Sequence, residues 1–230
     1  MLKKLLFPLI FGLCGLSVLL FLGTWQIQRL AWKNNLIGDI QNSIGMAPTE
    51  IVPSDINPTS QYLSTKGRGY FLEKELHILH SLRPYGPGFK VIKPFKLLSG
   101  EIILVDLGYI REKDKTVKRH FSNQSLLGNI LFPNETDKFT PQPNFQKNIW
   151  FSRNLEAMSD YLGTMPILIV LSSSVNDSIV VTPLSPNLTN NHLQYAITWF
   201  CMALGWGFMS IYLVLQVIRK YNRTGGENAL

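Results

Sequence analysis

Residues 5–25 read LLFPLIFGLCGLSVLLFLGTW, a run without one charged side chain. The hydrocarbon core of a bilayer takes roughly 20 apolar residues of helix to cross, so the run is long enough to span it. Lys3 and Lys4 ahead of it also suit a secretory signal, but a signal has an apolar core of about 7–15 residues and a small-x-small cleavage site. Here the run goes on too far and ends in Leu22-Gly23-Thr24-Trp25, a poor site. Cys14 sits mid-run after bulky Leu13, which argues against a lipidated N-terminus. The reading is an uncleaved anchor. A second uncharged run, YAITWFCMALGWGFMSIYLVL, occupies residues 195–215.

Orientation follows from where Lys and Arg collect beside the two runs. Lys3 and Lys4 precede the first; Arg219, Lys220 and Arg223 follow the second; no Lys or Arg occurs between Arg153 and Arg219. Arg29 and Lys33 fall on the other side of the first run and weaken the bias without reversing it. The expected organisation is a cytoplasmic N-terminus (1–4), a transmembrane helix (5–25), an extracytoplasmic domain (26–194), a second transmembrane helix (195–217) and a cytoplasmic tail (218–230), loose from Asn222 onward. The net charge of +7 then reports topology. The external segment carries 17 basic and 14 acidic residues, too even for a nucleic-acid surface. Both cysteines, Cys14 and Cys201, lie in the apolar runs, so the external domain holds no disulfide, no CxxC pair and no thiolate metal site. A thiol oxidoreductase or copper carrier is excluded on that ground.

Gln26 to Ile44 keeps the helical period of the first run, which predicts a helix leaving the membrane. Ala47 to Pro58, with three prolines, reads as a loop. Beyond Gln61 the period becomes that of short strands: Tyr62–Phe71, Glu75–Leu82, Phe89–Leu97, Glu101–Ile110, Thr116–Phe121, Ser125–Phe132, Pro166–Leu171 and Ser178–Thr182. Leu98-Ser99-Gly100-Glu101 reads as a hairpin turn. Asn154 to Leu162, with Asn154 as N-cap and Gly163 just past the end, reads as a short helix. The predicted fold class is a membrane α+β protein, two transmembrane helices flanking a mainly antiparallel β domain, barrel or sandwich, with one short helix.

No phosphate-binding loop, dinucleotide fingerprint, zinc-protease or nucleophile-elbow motif occurs, and nothing argues for catalysis or for a membrane-tethered hydrolase. His77 and His80 are three apart on a predicted strand, so they point to opposite faces and read as solvated or half-buried histidines rather than a metal pair. His120 reads the same way. Asp106, inside an apolar run, reads as turn-facing and solvated, because a buried carboxylate needs a partner.

The ends of the two apolar runs carry a sharper pattern. Trp25, Arg29 and Trp32 share one helical face, and His192, Tyr195 and Trp199 share another. With the helices side by side, an imidazole, aromatic surfaces and a guanidinium converge at the lipid–water boundary. Such a place suits a flat apolar macrocycle with an iron centre and carboxylate tails, His192 ligating the iron and Arg29 pairing with a propionate. Tryptophan and tyrosine also gather at bilayer interfaces simply as anchors, and spacing alone favours that reading.

Several segments, in order along nearly the whole chain, resemble the Surfeit locus protein 1 family. Gly23-Thr24-Trp25-Gln26-Ile27-Gln28-Arg29 with Trp32-Lys33 looks like its Gly-x-Trp-Gln-x-x-Arg…Trp-Lys segment. Gly86-Pro87-Gly88-Phe89 through Pro94 is similar to its Gly-x-x-Gly-aromatic…Pro segment, and Leu104-Val105-Asp106-Leu107-Gly108-Tyr109-Ile110 occupies the place of its Leu-Val-Asn-Arg-Gly-Trp-Val strand. Asn191-His192-Leu193-Gln194-Tyr195-Ala196 with Trp199-Phe200 resembles its entry to the second helix. The resemblance implies an assembly factor, not an enzyme, that binds haem a and helps deliver it to the catalytic subunit of a haem–copper oxidase, typically cytochrome c oxidase. Haem a synthase is a second candidate partner. The resemblance carries the haem-iron role over to His192; Tyr195, Trp199, Trp25 and Arg29 come in as cofactor-binding candidates from the helical spacing above. Leu107 departs from the family by standing where it has an arginine. With no Arg- and Ser-rich transit region ahead of the first run, the expected site is a bacterial inner membrane with the main domain periplasmic. The competing expectation is a cofactor-free scaffold that holds an oxidase subunit during assembly.

Overall fold

The computed structural model describes residues 2–119, 121, 124–186 and 188–226. The chain falls into two compact units: the segment up to Gly38 packs with the segment after Pro186, and Asp39–Pro186 forms the other.

The first unit is a pair of helices, most of α1 (Leu2–Gly45) with α3 (His192–Gly226), both long and apolar enough to cross a membrane. They run antiparallel: Gly12 lies against Ser210, Gly15 against Trp206 and Gly23 against Phe200. Small residues let the backbones come close, which matters because lipid tails give large apolar side chains no reason to leave the helix surface. Phe7, Phe21 and Phe208 accordingly point outward, each about 70% exposed or more, while Ala196 and Ala203 are buried. The indole Nε1 of Trp206 donates to the Gly12 carbonyl at 3.0 Å, so its one polar atom is satisfied. α1 runs unbroken through residues 26–44, as expected, and α3 stays helical through Gly226, so residues 222–226 of the predicted loose tail are helix; 227–230 and His120 lie outside the described residues.

The second unit is one curled, mainly antiparallel sheet. Its strands are β1 (Thr49–Glu50), β2 (Ser64–Phe71), β3 (Leu76–Leu82), β4 (Gly86–Leu97), β5 (Ile102–Arg111), β6 (Gln124–Leu131) and β7 (Leu168–Leu171). The order is β1-β2-β6-β7-β5-β4-β3, with β1–β2 and β5–β7 parallel. The far end of β2 also pairs with β4, Gly69–Phe71 against Phe95–Leu97, so the sheet curls back on itself. β7 is buried along its whole length, as its unbroken Leu-Ile-Val-Leu run dictates. One apolar cluster is built on Phe89, Phe95, Val105, Leu126 and Ile169. A second, on Leu76, Ile92, Leu104 and Trp150, takes in Met158 of α2 (Leu155–Leu162). The Asn154 side chain accepts from the Ala157 amide and Gly163 ends α2 in the left-handed conformation, both as read from sequence.

Several expectations need correction. Thr116–Phe121 forms no strand among its described residues; it is rich in Lys and Arg and lacks alternation. Ser178–Thr182 contributes a single bridge, Val180 to Tyr109, because β5 is already paired with β7 next to it. The Ala47–Pro58 loop contains β1 and two short 3-10 turns that begin at Pro53 and Pro58.

Asp106 is the largest correction. It is fully buried, 3.2 Å from both Lys90 Nζ and Arg153 Nη1, with Oδ1 accepting from the Gly108 amide at 3.0 Å. The cause is a bulge. The β4–β5 register steps from Val91 opposite Gly108 to Ile92 opposite Asp106, which leaves Leu107 as an extra residue turned into the core. Gly108 sits at φ 119°, and a Cβ there would meet the Val180 carbonyl oxygen at 2.4 Å. His77, expected to be solvated or half-buried, is buried against Glu75 and Asn148. His80 is half-buried, and burial with the Lys90 and Arg153 charges lowers its pKa. No group of three metal-binding side chains forms among the described residues.

Candidate functional site

The face of α1 that meets α3 runs through Gly12, Gly15 and Gly23 and arrives at Gln26, which is buried. Across from Gln26, at the first turn of α3, stands His192, whose Nδ1 lies 2.8 Å from Gln26 Oε1. An amide oxygen only accepts, so Nδ1 carries the hydrogen, and in the neutral form of the ring that tautomer leaves the Nε2 lone pair free. This is the arrangement used by metal-binding histidines, one nitrogen fixed by an acceptor and the other free to coordinate. Beyond this pair the helices stay tied by Asn190 Nδ2 donating to Asn34 Oδ1 at 2.8 Å and by Lys33 donating to the Thr189 carbonyl.

The other expected site residues form a separate group. Arg29 is stacked between two indoles, its guanidinium carbon 5.6 Å from the centre of Trp25 and 5.5 Å from that of Trp32. All three are exposed. Successive helix residues turn by about 100°, so this stack lies roughly a quarter-turn from the Gln26 face. On α3, Trp199 is half-buried and Tyr195 is exposed. Among the described residues no hydrogen bond, ion pair or ring contact joins the Arg29 stack to His192, Tyr195 or Trp199. The structure therefore brings His192 to Gln26, a residue the sequence reading passed over. The glycine spacing that leads to Gln26 on one face was the available signal.

The sequence model of the SURF1 family matches residues 13–204, which include most of α1, the first part of α3 and the entire sheet unit. The chain belongs to the SURF1 family. Surfeit locus protein 1 of Gallus gallus is 31% identical over 225 residues, covering 86% of this chain and 72% of the relative. The SURF1-like protein of Rickettsia bellii is 27% identical over 226 residues, covering 93% and 90%. Surfeit locus protein 1 of Xenopus tropicalis is 32% identical over 205 residues, covering 78% and 66%. The family match takes in Trp25, Gln26, Arg29, His192, Tyr195 and Trp199, so every candidate residue lies inside it.

Proposed function

We propose that the chain is a membrane-anchored assembly factor for a haem–copper terminal oxidase, and that it holds haem a through His192 before the oxidase's catalytic subunit receives it. The reading places both termini in the cytoplasm and the sheet unit on the periplasmic side of the inner membrane, with haem a synthase as the partner on the supply side. No catalytic role is assigned to the chain. The observation that carries the reading is the 2.8 Å bond from His192 Nδ1 to Gln26, because it leaves Nε2 as a ligand atom at the end of an apolar helix pair.

The residues fit the group in kind. His192 would supply an imidazole to the iron, and Tyr195 and Trp199 would supply aromatic surface one and two turns further along α3. Arg29 has no carboxylate partner among the described residues and is held by its two indoles, so it is available to a propionate. When bound, haem a contributes its iron and its apolar ring; the chain's part is to orient the imidazole and to shelter the ring from water.

The Gln26–His192 bond also ties α1 to α3, and this favours the second reading, a cofactor-free scaffold. One experiment separates them. The full chain and its His192→Ala and Gln26→Ala variants are purified from cells that make haem a, and their absorption spectra and retained oxidase subunit are compared. Haem carriage predicts a haem spectrum in the wild type, its loss in His192→Ala, and haem affinity about 10–100-fold weaker in Gln26→Ala, the usual effect of removing a partner behind a ligand. A colourless wild type that still retains the oxidase subunit, unaffected by His192→Ala, establishes the scaffold instead.

A further inference from the structure

A cleft of about 370 Å³ opens on the sheet unit between the start of β3 and the segment after β5. Its charged lining is Glu73, Glu75, Lys93, Lys115, Lys118 and Arg119, four cations against two carboxylates. The excess is greatest where the groups are driest. The Lys93 and Arg119 side chains are 3% and 1% exposed, and Glu75 is the one carboxylate that reaches both. That carboxylate is already divided: Oε1 takes Arg119 Nη1 at 2.8 Å and His77 Nε2 at 2.9 Å, while Oε2 is 3.6 Å from Lys93 Nζ. Two buried cations thus share one anion, which leaves positive charge incompletely compensated at the base of the cleft.

The donors are not used up either. Arg119 gives Nη2 to the Asp114 carbonyl, but its buried Nε has no hydrogen-bond partner among the described residues. Lys93 donates to the Glu73 carbonyl at 2.9 Å and lies over the Phe121 ring; burial lowers its pKa, against the pull of Glu75. Lys118, exposed at the rim, makes no hydrogen bond or ion pair among the described residues. A guanidinium and ammonium groups around one opening are the donor set that recognises carboxylate and phosphate oxygens.

We infer that this cleft is an oxyanion-binding site, with Arg119 and Lys93 at its base and Lys118 at its rim, taking a carboxylate or phosphate group. The group comes either from a free small anion or from an acidic side chain on a protein partner. The site lies in the sheet unit and does not depend on the haem reading.

The test uses the full chain in nanodiscs of zwitterionic lipid at constant ionic strength. Inorganic phosphate and a hexaglutamate peptide are titrated separately while the side-chain Nε–H resonance of Arg119 is followed by NMR, with chloride as the reference. A saturable shift of that resonance is expected. Lys118→Glu, an exposed change that leaves the fold in place, weakens binding about tenfold or more, as the loss of one charge-assisted contact implies. Lys66→Glu, exposed on β2, leaves it unchanged. Saturation by phosphate assigns a free anion; saturation by the peptide alone assigns an acidic partner. If neither probe moves the resonance beyond chloride, or if Lys118→Glu binds both as tightly as wild type, the inference fails.

Discussion

In the helix pair the residues withdrawn from the surface are Gly12, Gly23, Gln26, Ala196 and Ala203, whereas in the sheet unit they are Leu, Ile, Val and Phe. The same amino-acid alphabet is sorted by opposite rules. In water, burial of large apolar side chains drives folding, so they go inside. Between helices in a bilayer that force is absent, and close backbone approach with satisfied polar atoms takes its place. Polar burial differs as well. The helix pair hides neutral groups, the Gln26 amide and the Trp206 indole, each with a partner. The sheet unit hides full charges, Asp106 with Lys90 and Arg153, and Glu75 with Lys93 and Arg119.

The largest expected effect tests the charged side of this contrast. Asp106→Ala leaves the part-buried Lys90 and Arg153 beside an empty position, and removing one partner of a buried ion pair costs about 3–5 kcal/mol, an upper range here. Glu135 stays bonded to Arg153 and offsets part of that loss. Burial works against the Arg153 charge, but the Glu135 and Asp106 carboxylates outweigh it and hold the proton more tightly than usual. Chemical unfolding followed by Trp150 fluorescence measures the change. If the triple variant Asp106→Leu, Lys90→Met, Arg153→Leu recovers most of the stability, the network serves to orient the bulge rather than to stabilise the unit; continued instability would overturn that view.

A smaller effect tests the packed face of the helix pair. A Cβ on Gly15 would sit 2.4 Å from the Trp206 indole, which cannot swing away without giving up its bond to the Gly12 carbonyl. Gly15→Ala is expected to destabilise the pair by about 1–3 kcal/mol, the usual range for overpacking. Gly205→Ala on α3, where a Cβ meets nothing within 4 Å, should be neutral or better. Unfolding in micelles compares the two. Equal responses would mean that the helices do not approach along this face.

What was legible in the sequence follows the same division. The two long apolar helices, the β4–β5 hairpin and α2 with both its caps depend on local pattern, and all were readable. The misreadings depend on partners far away in the chain. Asp106 looked solvated because nothing nearby could pair with it; its counter-charges come from Lys90 and from Arg153, 47 residues on. Thr116–Phe121 looked like a strand, but its described residues pair with none of the strands. At the candidate site, His192 was read from its surroundings, yet its partner Gln26 lies 166 residues away and is found only by laying the glycine stripe of α1 against α3.

The smallest expected effect separates the two units by pH. No acidic residue occurs before Asp39 or between Pro186 and Glu227, so among the described residues only the sheet unit has carboxylates to protonate. Burial raises the pKa of Glu75, but the His77 hydrogen bond and the Arg119 and Lys93 charges outweigh it and hold the group below its ordinary 4.5. A carboxylate with a depressed folded pKa stabilises the fold above its unfolded value, and that contribution drains away as pH falls through the folded value. The melting temperature of the sheet unit should therefore decline below about pH 4.5, while the helix pair, followed through Trp206, holds. In Glu75→Gln the acid decline should flatten from a lower starting point, because Lys93 and Arg119 have lost their shared counter-charge at every pH. An acid limb as steep as that of the wild type would move the responsible carboxylate away from Glu75, leaving Glu135, whose pKa is also lowered, as the one to examine.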